Sequence, residues 1–595
     1  MGDKIESKKI AKAAGVHTIP GFEGEVYDIE DAVRISNEIG YPVMVKASAG
    51  GGGKGMRIAY NDKECREAFR LSKNEAKSSF GDDRMLVEKF IEEPRHIEIQ
   101  LIGDKHGNTY YLPERECSIQ RRNQKVVEEA PSLHIDEATR KAMGEQAVSL
   151  AKNVGYFSAG TCEFLVDPQR NFYFLEMNTR LQVYGMLSLL SNFNLIMPQQ
   201  ILSQNSEHPI TEYITNMDLV ELMIRVAANQ KLFFNQSEIA KPKGWAFESR
   251  VYAEDPEKYL PSIGRLTKYI EPLAITASGH DVRCDTGIVE GSEISIYYDP
   301  MICKLCTYGD TREIARQRME SALDRYVIKG VTHNIPLLRD VVSHPRFAAG
   351  KISTKFLGQE YPDGFKGAKL DVERKKVQLF AMSAVVHAIK DLNTRSWVKG
   401  AGSLQIPEHQ TKWELNVSLK KTGESERVFV LAEKDGSWKV SVGGQTVSAN
   451  VNWVVNTPLC DGVIDGENVV VQFLDPLPTG YRLQYLGTKF DVTIQSLRQH
   501  ELSKYMKEKP RIDLTSVILS PMPGTVVSIA VREGDIVAQG AEMGVVEAMK
   551  MQNVIRAPRA GKVKKVLVKS GQSVAGDEIM VELEKARSET KQTTA

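Results

Sequence analysis

A period of 37 residues near the C-terminus restricts the fold more than any other feature of the chain. Gly524, Val526, Val531, Gly534, Val537 and Ala538 recur as Gly561, Val563, Val568, Gly571, Val574 and Ala575. Self-similarity at a fixed spacing means two equivalent half-units that share one core. Alternating valines make both halves strands, and Gly534-Asp535 and Ser570-Gly571 supply turns. Between the halves stands Glu547-Ala548-Met549-Lys550-Met551-Gln552. A hairpin joining the halves protrudes there, so the repeat predicts that Lys550 sits on the two-fold of a small β domain.

That domain is a small part of 595 residues, a length that predicts roughly three to five domains. From 28 to 350 helix and strand patterns alternate, an α+β arrangement. Asp28 precedes a helical run with Ile29, Ala32, Val33, Ile35 and Ile39 apolar, and Gly40 stops it. A strand from Tyr41, the glycines 50–53 and a second strand from Met56 follow; further strands are predicted at His96–Ile102, Gly160–Val166 and Asn171–Glu176. Turn residues at 361–367 mark a boundary. Beyond it, a helix over 372–392 precedes short strands punctuated by Asp435-Gly436, Gly443-Gly444, Asp461-Gly462 and Asp465-Gly466. This reads as a helix against an antiparallel barrel over 366–498, then a polar linker over 499–513. The repeat occupies 514–586.

Charge narrows the function class. The 77 basic and 77 acidic residues cancel, which gives no support for nucleic acid or a membrane surface as partner. No apolar run reaches the roughly 18–20 residues of a spanning helix. Seven cysteines do not make a disulfide scaffold. Cys303 and Cys306 stand in a run, 295–308, that reads as a buried strand, and no second Cys/His pair at zinc spacing accompanies them.

Two constellations carry chemistry. Lys46–Arg57 contains Gly50, Gly51, Gly52, Gly53 and Gly55 before Met56, and joins strand to strand. It lacks the Walker spacing, yet a glycine run on a hairpin can fold over phosphates and donate backbone N–H groups. Glu163 and Glu176 fall on adjacent predicted strands, with Asn178 two residues on. Paired carboxylates of that kind hold divalent cations in phosphoryl transfer.

Ala548-Met549-Lys550-Met551, with Ser520–Gly524 at its entrance, resembles the biotinyl domain of biotin-dependent carboxylases. The segments Glu88-Lys89-Phe90, Pro94–Gln100, Ser118–Lys125 and Phe174–Val183 resemble the ATP-grasp core of biotin carboxylases. The order of these units is similar to the α subunits of biotin-dependent acyl-CoA carboxylases. Gly330–Asn334, Ile352–Leu357 and Tyr361–Gly367 favour the propionyl-CoA members, with methylcrotonyl-CoA or acetyl-CoA members as alternatives.

The resemblance implies a multidomain α+β fold: an ATP-grasp biotin carboxylase core, the helix-plus-barrel unit and an all-β biotinyl, lipoyl-like domain. It divides the core into a small subdomain, 1–90, and a larger one, 91–358. It implies covalent biotin on Lys550, with ATP, Mg2+ or Mn2+, and bicarbonate. By matching positions, Lys4, Lys46, Gly51, Gly52, Gly53, Gly55, Met56, Glu88, Lys89, His96, Gln120 and Asn123 bind nucleotide. Glu163, Glu176 and Asn178 hold metal. Lys125, Arg180, Gln182 and Val183 bind bicarbonate, and Glu207 is the general base. Arg250 matches the arginine that stabilises the negative charge developing on biotin, and here Ser249 replaces the usual cysteine before it. The implied partners are a carboxyltransferase β subunit and a biotin protein ligase. The implied compartment is the mitochondrial matrix for a eukaryotic source and the cytoplasm for a bacterial one.

Two departures qualify the likeness. Relatives of this type begin with a further subdomain ahead of Gly2-Asp3-Lys4, so a fragment or truncated gene, with any transit peptide, is expected. The motif that runs on unbroken elsewhere is interrupted: 23 uncharged residues, Tyr184–Ser206, separate Gln182-Val183 from Glu207-His208-Pro209. General-base catalysis depends on placement. The insertion therefore raises a third possibility, a biotinylated carrier that cannot charge its own biotin.

Overall fold

The computed structural model describes residues 4–22, 24–48, 55–121, 124–179, 208–272, 281–295, 300–370, 373–396, 410–506, 516–548 and 551–584. Local rules set the first helix of the glycine-loop unit. Asp28 accepts a hydrogen bond from the Asp31 N–H at 2.8 Å and caps Ile29–Ile39; Gly40 ends it at φ +82°. Strands β1 (Val43–Ala47), β2 (Met56–Ala59) and β3 (Met85–Lys89) form an antiparallel sheet in the order β2-β1-β3. Val33, Ile35, Val43, Val45, Phe69 and Val87 bury together beneath the helices Ile29–Ile39 and Asp62–Phe80.

The larger sheet has nine strands. β4 (Arg95–Gly103), β5 (Thr109–Tyr111), β6 (Arg115–Arg121), β7 (Gln124–Ala130), β8 (Ser158–Val166), β9 (Phe172–Asn178) and β10 (Trp245–Tyr252) join Val282–Thr286 and Met301–Gly309. The order is Val282–Thr286, Met301–Gly309, β10, β7, β6, β4, β8, β9, with β5 beside β4. Cys303 and Cys306 are buried in their strand as the sequence predicts, and all seven cysteines are free. The helix Lys4–Ala13 and the turn after it bury Ala11 and Val16 against Phe164, Phe172 and Phe174 of the larger sheet. Those aromatic partners lie on β8 and β9, while Lys8 of the same helix pairs with Glu88 of the small sheet, so the first helix joins the two units.

In the middle unit the helix Glu373–Ser396 runs through the barrel and not against it. Val377 to Val386 are all buried, which is more than any one face of a helix can offer. Eight antiparallel strands, from Lys412–Leu419 to Thr488–Ser496, close around it. Phe380, Met382 and Val385 share one core with Trp413, Val440, Leu483 and Val492. The linker expectation needs correction at its start. Ser496 forms a capping box with Gln499 and opens a helix over Leu497–Ser503.

The repeat becomes two interlocked four-stranded sheets. The short strand Ile536–Val537 of the first half pairs with Gly561–Val566 of the second. Its counterpart Ser573–Val574 pairs with Gly524–Ile529 of the first. Val526, Val537, Val563 and Val574 meet in the shared core. The hairpin Glu542–Ala548 to Met551–Arg556 is paired up to Ala548 opposite Met551. Met549 and Lys550 lie outside the described residues.

Candidate functional site

Strand register builds the site. Glu98 on β4 stands opposite Glu163 on β8, and Glu163 stands opposite Glu176 on β9. On the other side, Glu98 faces Arg115 of β6. Directly opposed residues share a face of the sheet, so one row holds three carboxylates and an arginine. Arg115 has no exposed surface and is fully engaged. It donates to Glu98 Oε2 at 2.8 and 3.1 Å, to Gln100 Oε1 at 2.8 Å and to Thr211 Oγ1 at 2.9 Å. Thr211 lies on the helix Pro209–Thr215, which follows the inserted segment, so this bond docks that helix on the carboxylate row.

A bulge completes the row. The β6–β7 register shifts between Glu116 and Ile119 and again between Ile119 and Gln120. Strict alternation would send Lys125 to the face opposite Glu128; a bulge re-aims a side chain. Lys125 forms ion pairs with Glu98 and, at 3.3 Å, with Glu163 Oε1. The Asn178 amide donates to the same Glu163 oxygen at 2.9 Å. His96 Nε2 lies 2.9 Å from the other, Oε2, and His96 Nδ1 meets the Gln120 amide at 2.6 Å. Burial opposes protonation of His96, but the Glu163 carboxylate outweighs it and raises the imidazole pKa.

The seam continues towards β10. Glu98, Cys117 and Glu128 offer ligand atoms within 4.8 Å of one another, and Arg250 Nε donates to Glu128 Oε1 at 2.6 Å. Burial, and then the neighbouring Glu128, push the Cys117 thiol up, which keeps it protonated and poorly nucleophilic. Buried ion pairs contribute little net stability because desolvation costs several kcal/mol per charge. A long buried seam of them therefore points to chemistry more than to folding. Its oxygen-rich end, Glu163, Glu176 and Asn178, fits a hard divalent cation such as Mg2+ or Mn2+. Rotation of the Asn178 amide would present its carbonyl oxygen to such an ion.

Lys46 and Glu88 meet in the small sheet. Glu88 is clamped by Lys46 at 2.5 Å and by Lys8 at 2.6 Å. Burial alone would raise its carboxyl, and the two ammonium groups overcome this and bring it down to about 2. Gly55, at φ +69°, lies so close to Ala47 that a Cβ would stand 2.9 Å from the alanine methyl. Met56 follows it opposite Lys46. The Lys89 side chain turns to the backbone of the preceding helix end. It donates to the Gly40 and Tyr41 carbonyls at 2.8 and 3.0 Å and closes the helix end there.

The structure thus brings His96, Gln120, Lys125, Glu163 and Asn178 into one contact set, with Glu176 in register and Arg250 at the far end. Gly51, Gly52, Gly53, Asn123, Arg180, Gln182, Val183, Glu207 and Lys550 lie outside the described residues, as does the Lys4 side chain. Glu98, Arg115, Cys117 and Glu128 were not singled out by the sequence. For Glu98 the signal was charge at alternate positions of a strand whose other members are apolar, His96-Ile97-Glu98-Ile99; the strands of Arg115, Cys117 and Glu128 show no such alternation.

Comparison with known proteins covers every unit. The sequence matches the carbamoyl-phosphate synthase L chain, ATP binding domain over residues 3–192 and the biotin carboxylase C-terminal domain over 248–359. It matches the propionyl-coenzyme A carboxylase BT domain over 379–509 and the biotin-requiring enzyme family over 516–583. The mitochondrial propionyl-CoA carboxylase alpha chain of Mus musculus is 53% identical over 587 residues, 98% of this chain and 77% of that one. The propionyl-CoA carboxylase alpha chain of Ruegeria pomeroyi is 47% identical over 601 residues, 98% of this chain and 84% of that one. Among solved structures, the biotin carboxylase domain of Hydrogenobacter thermophilus 2-oxoglutarate carboxylase, in complex with MgADP, ADP and bicarbonate, is similar. It is 44% identical at a TM-score of 0.56, covering 62% of this chain and 75% of that one.

Proposed function

The chain belongs to the family of propionyl-CoA carboxylase alpha chains, and we propose that it carboxylates biotin carried on its own Lys550, using ATP and bicarbonate, for delivery to propionyl-CoA. One observation carries this reading: Glu163 and Glu176 in register, with Asn178, Lys125 and His96 gathered on Glu163. The covalent biotin would supply a nitrogen that accepts and releases a carboxyl group. Glu163, Glu176 and Asn178 would hold the divalent cation that neutralises the phosphates of ATP. Lys46, fixed by Glu88, would orient a phosphate beneath the glycine loop. Lys125 would pair with the bicarbonate anion. Arg250, fixed by Glu128, would stabilise negative charge where it develops, because a preorganised guanidinium needs no reorganisation at that moment.

Glu207 would act as general base. Its neighbour His208 is buried 3.2 Å from Glu212, on the helix that Thr211 docks to Arg115, while Asn178 upstream is bonded to Glu163. The described flanks of the insertion thus return to the same seam. The barrel unit would dock a carboxyltransferase β subunit, a biotin protein ligase would modify Lys550, and the matrix would be the compartment in a eukaryote.

Bicarbonate-dependent ATP hydrolysis with free biotin tests the carboxylase reading; it should fall by about 100-fold or more in Glu163→Gln. If no such activity appears in the wild-type chain while mass spectrometry finds Lys550 biotinylated, the chain is a carrier only. The 37% identity to an Arabidopsis thaliana methylcrotonoyl-CoA carboxylase alpha subunit is lower than the propionyl-CoA values, which favours propionyl-CoA.

A further inference from the structure

A large cavity among the described residues lies outside the carboxylate seam. It holds about 1270 Å3 between the biotin carboxylase unit and the barrel, and seven Lys or Arg residues line it against three Asp or Glu. The lining therefore carries an excess of positive charge. Arg482 is paired with Asp491 at 2.7 Å, and Lys329 donates to the carbonyls of Phe473 and Leu474. Lys369, Lys420, Lys421 and Lys489 have no ion pair among the described residues. One wall presents His333, only 4% exposed, whose Nδ1 has no hydrogen-bond partner. Leaving a buried polar atom unpaired costs about 1–3 kcal/mol, so a native example asks for a ligand. The cavity also has apolar wall, from Leu370, Leu474 and Phe490. His333 and the cavity-lining Lys366 and Gly367 belong to Gly330–Asn334 and Tyr361–Gly367, segments that the carboxylation site leaves unused.

We propose that this cavity is a second ligand site, for an adenine nucleotide diphosphate group, with the phosphates on Lys489 and Lys420 and a ligand N–H or hydroxyl on His333 Nδ1. The electrostatics agree. Burial, and then Lys489, hold the imidazole of His333 down at about 3, so it stays neutral and can accept a hydrogen bond. Burial and the neighbouring Arg482 hold Lys489 below the ordinary lysine range, a cost that a bound anion would reverse. The diphosphate group could come from free ADP or from coenzyme A; both chemistries fit the cations and the volume. Because its walls come from two domains, occupancy would bias their relative positions. This inference does not depend on the carboxylation site.

Calorimetric titration of the full chain distinguishes the sources. The expected results are one equivalent of coenzyme A, or a second equivalent of ADP beyond the one for the glycine-loop site, with Kd below about 1 mM. Lys489→Gln and, separately, Lys420→Gln should weaken that equivalent by about tenfold or more, with bicarbonate-dependent ATP hydrolysis unchanged. Binding of neither probe, or binding that both variants leave intact, overturns the proposal.

Discussion

Single residues in this chain are best read by what a substitution would leave behind. Glu88 sits between two lysines, and its folded pKa, about 2, is below its unfolded value of about 4.3. A depressed carboxyl stabilises the fold above its unfolded pKa and loses that contribution as pH falls towards the folded one. Glu88→Gln should therefore cost on the order of 2–3 kcal/mol at pH 7. Denaturant unfolding should show the gap to wild type closing between about pH 4.3 and 2. The repeat offers a second test. A Cβ on Gly524 would come within 2.5 Å of the Glu547 carbonyl oxygen, whereas on its repeat mate Gly561 it meets a movable Arg559 guanidinium. Gly524→Ala should lower the melting point of the carrier domain and Gly561→Ala should barely move it, as thermal unfolding followed by circular dichroism will report. The sequence made these two glycines equivalent; the packing across the sheet does not. Lys89 shows the same limit, since a motif position tells nothing about which carbonyls lie nearby.

Elements were legible where local rules act alone. The Asp28 cap, the Gly40 stop, the strands around Glu163 and the repeat's turns all follow from residues a few positions apart. The helix of the middle unit was legible as a helix but not in its setting. Its predicted apolar set, Val377, Phe380, Val385, Ala388 and Ile389, suggests one face and leaves out the small residues between them, Ala381, Ser383 and Ala384, which are buried as well. Inside a closed barrel small residues are what allow strands to approach on every side. The bulge that aims Lys125 was equally hidden, because it depends on pairing across β6 and β7. An expected outcome separates a threaded helix from an external one. Glu substituted in turn at Phe380, Ala381, Met382 and Ser383 samples the full circumference. All four variants should lose several kcal/mol, measured by chemical denaturation, with no tolerant face.

At the scale of the molecule, the carboxylase unit and the barrel are joined by a polar clamp. The Gln472 amide donates to the Asp324 and Tyr326 carbonyls at 2.9 and 3.0 Å, Arg325 pairs with Asp461 at 2.8 Å, and Lys329 reaches the carbonyls of Phe473 and Leu474. Replacing Gln472 by Leu and Lys329 by Met should uncouple the two units. Scanning calorimetry would then resolve separate transitions where the wild type has a shared one. None of these partners is closer in sequence than about 130 residues, so nothing local announces the clamp. The threaded helix has a consequence for how the protein is made. Glu373–Ser396 leaves the ribosome first, and the last strand that encloses it ends at Ser496, about 100 residues later. At ordinary elongation rates that is roughly 5–20 s in which the mostly apolar middle of that helix, Val377–Val386, waits for its sheath. During that interval the nascent chain needs a chaperone's cover, and a ribosomal pause within 412–496 would prolong the exposure and favour aggregation.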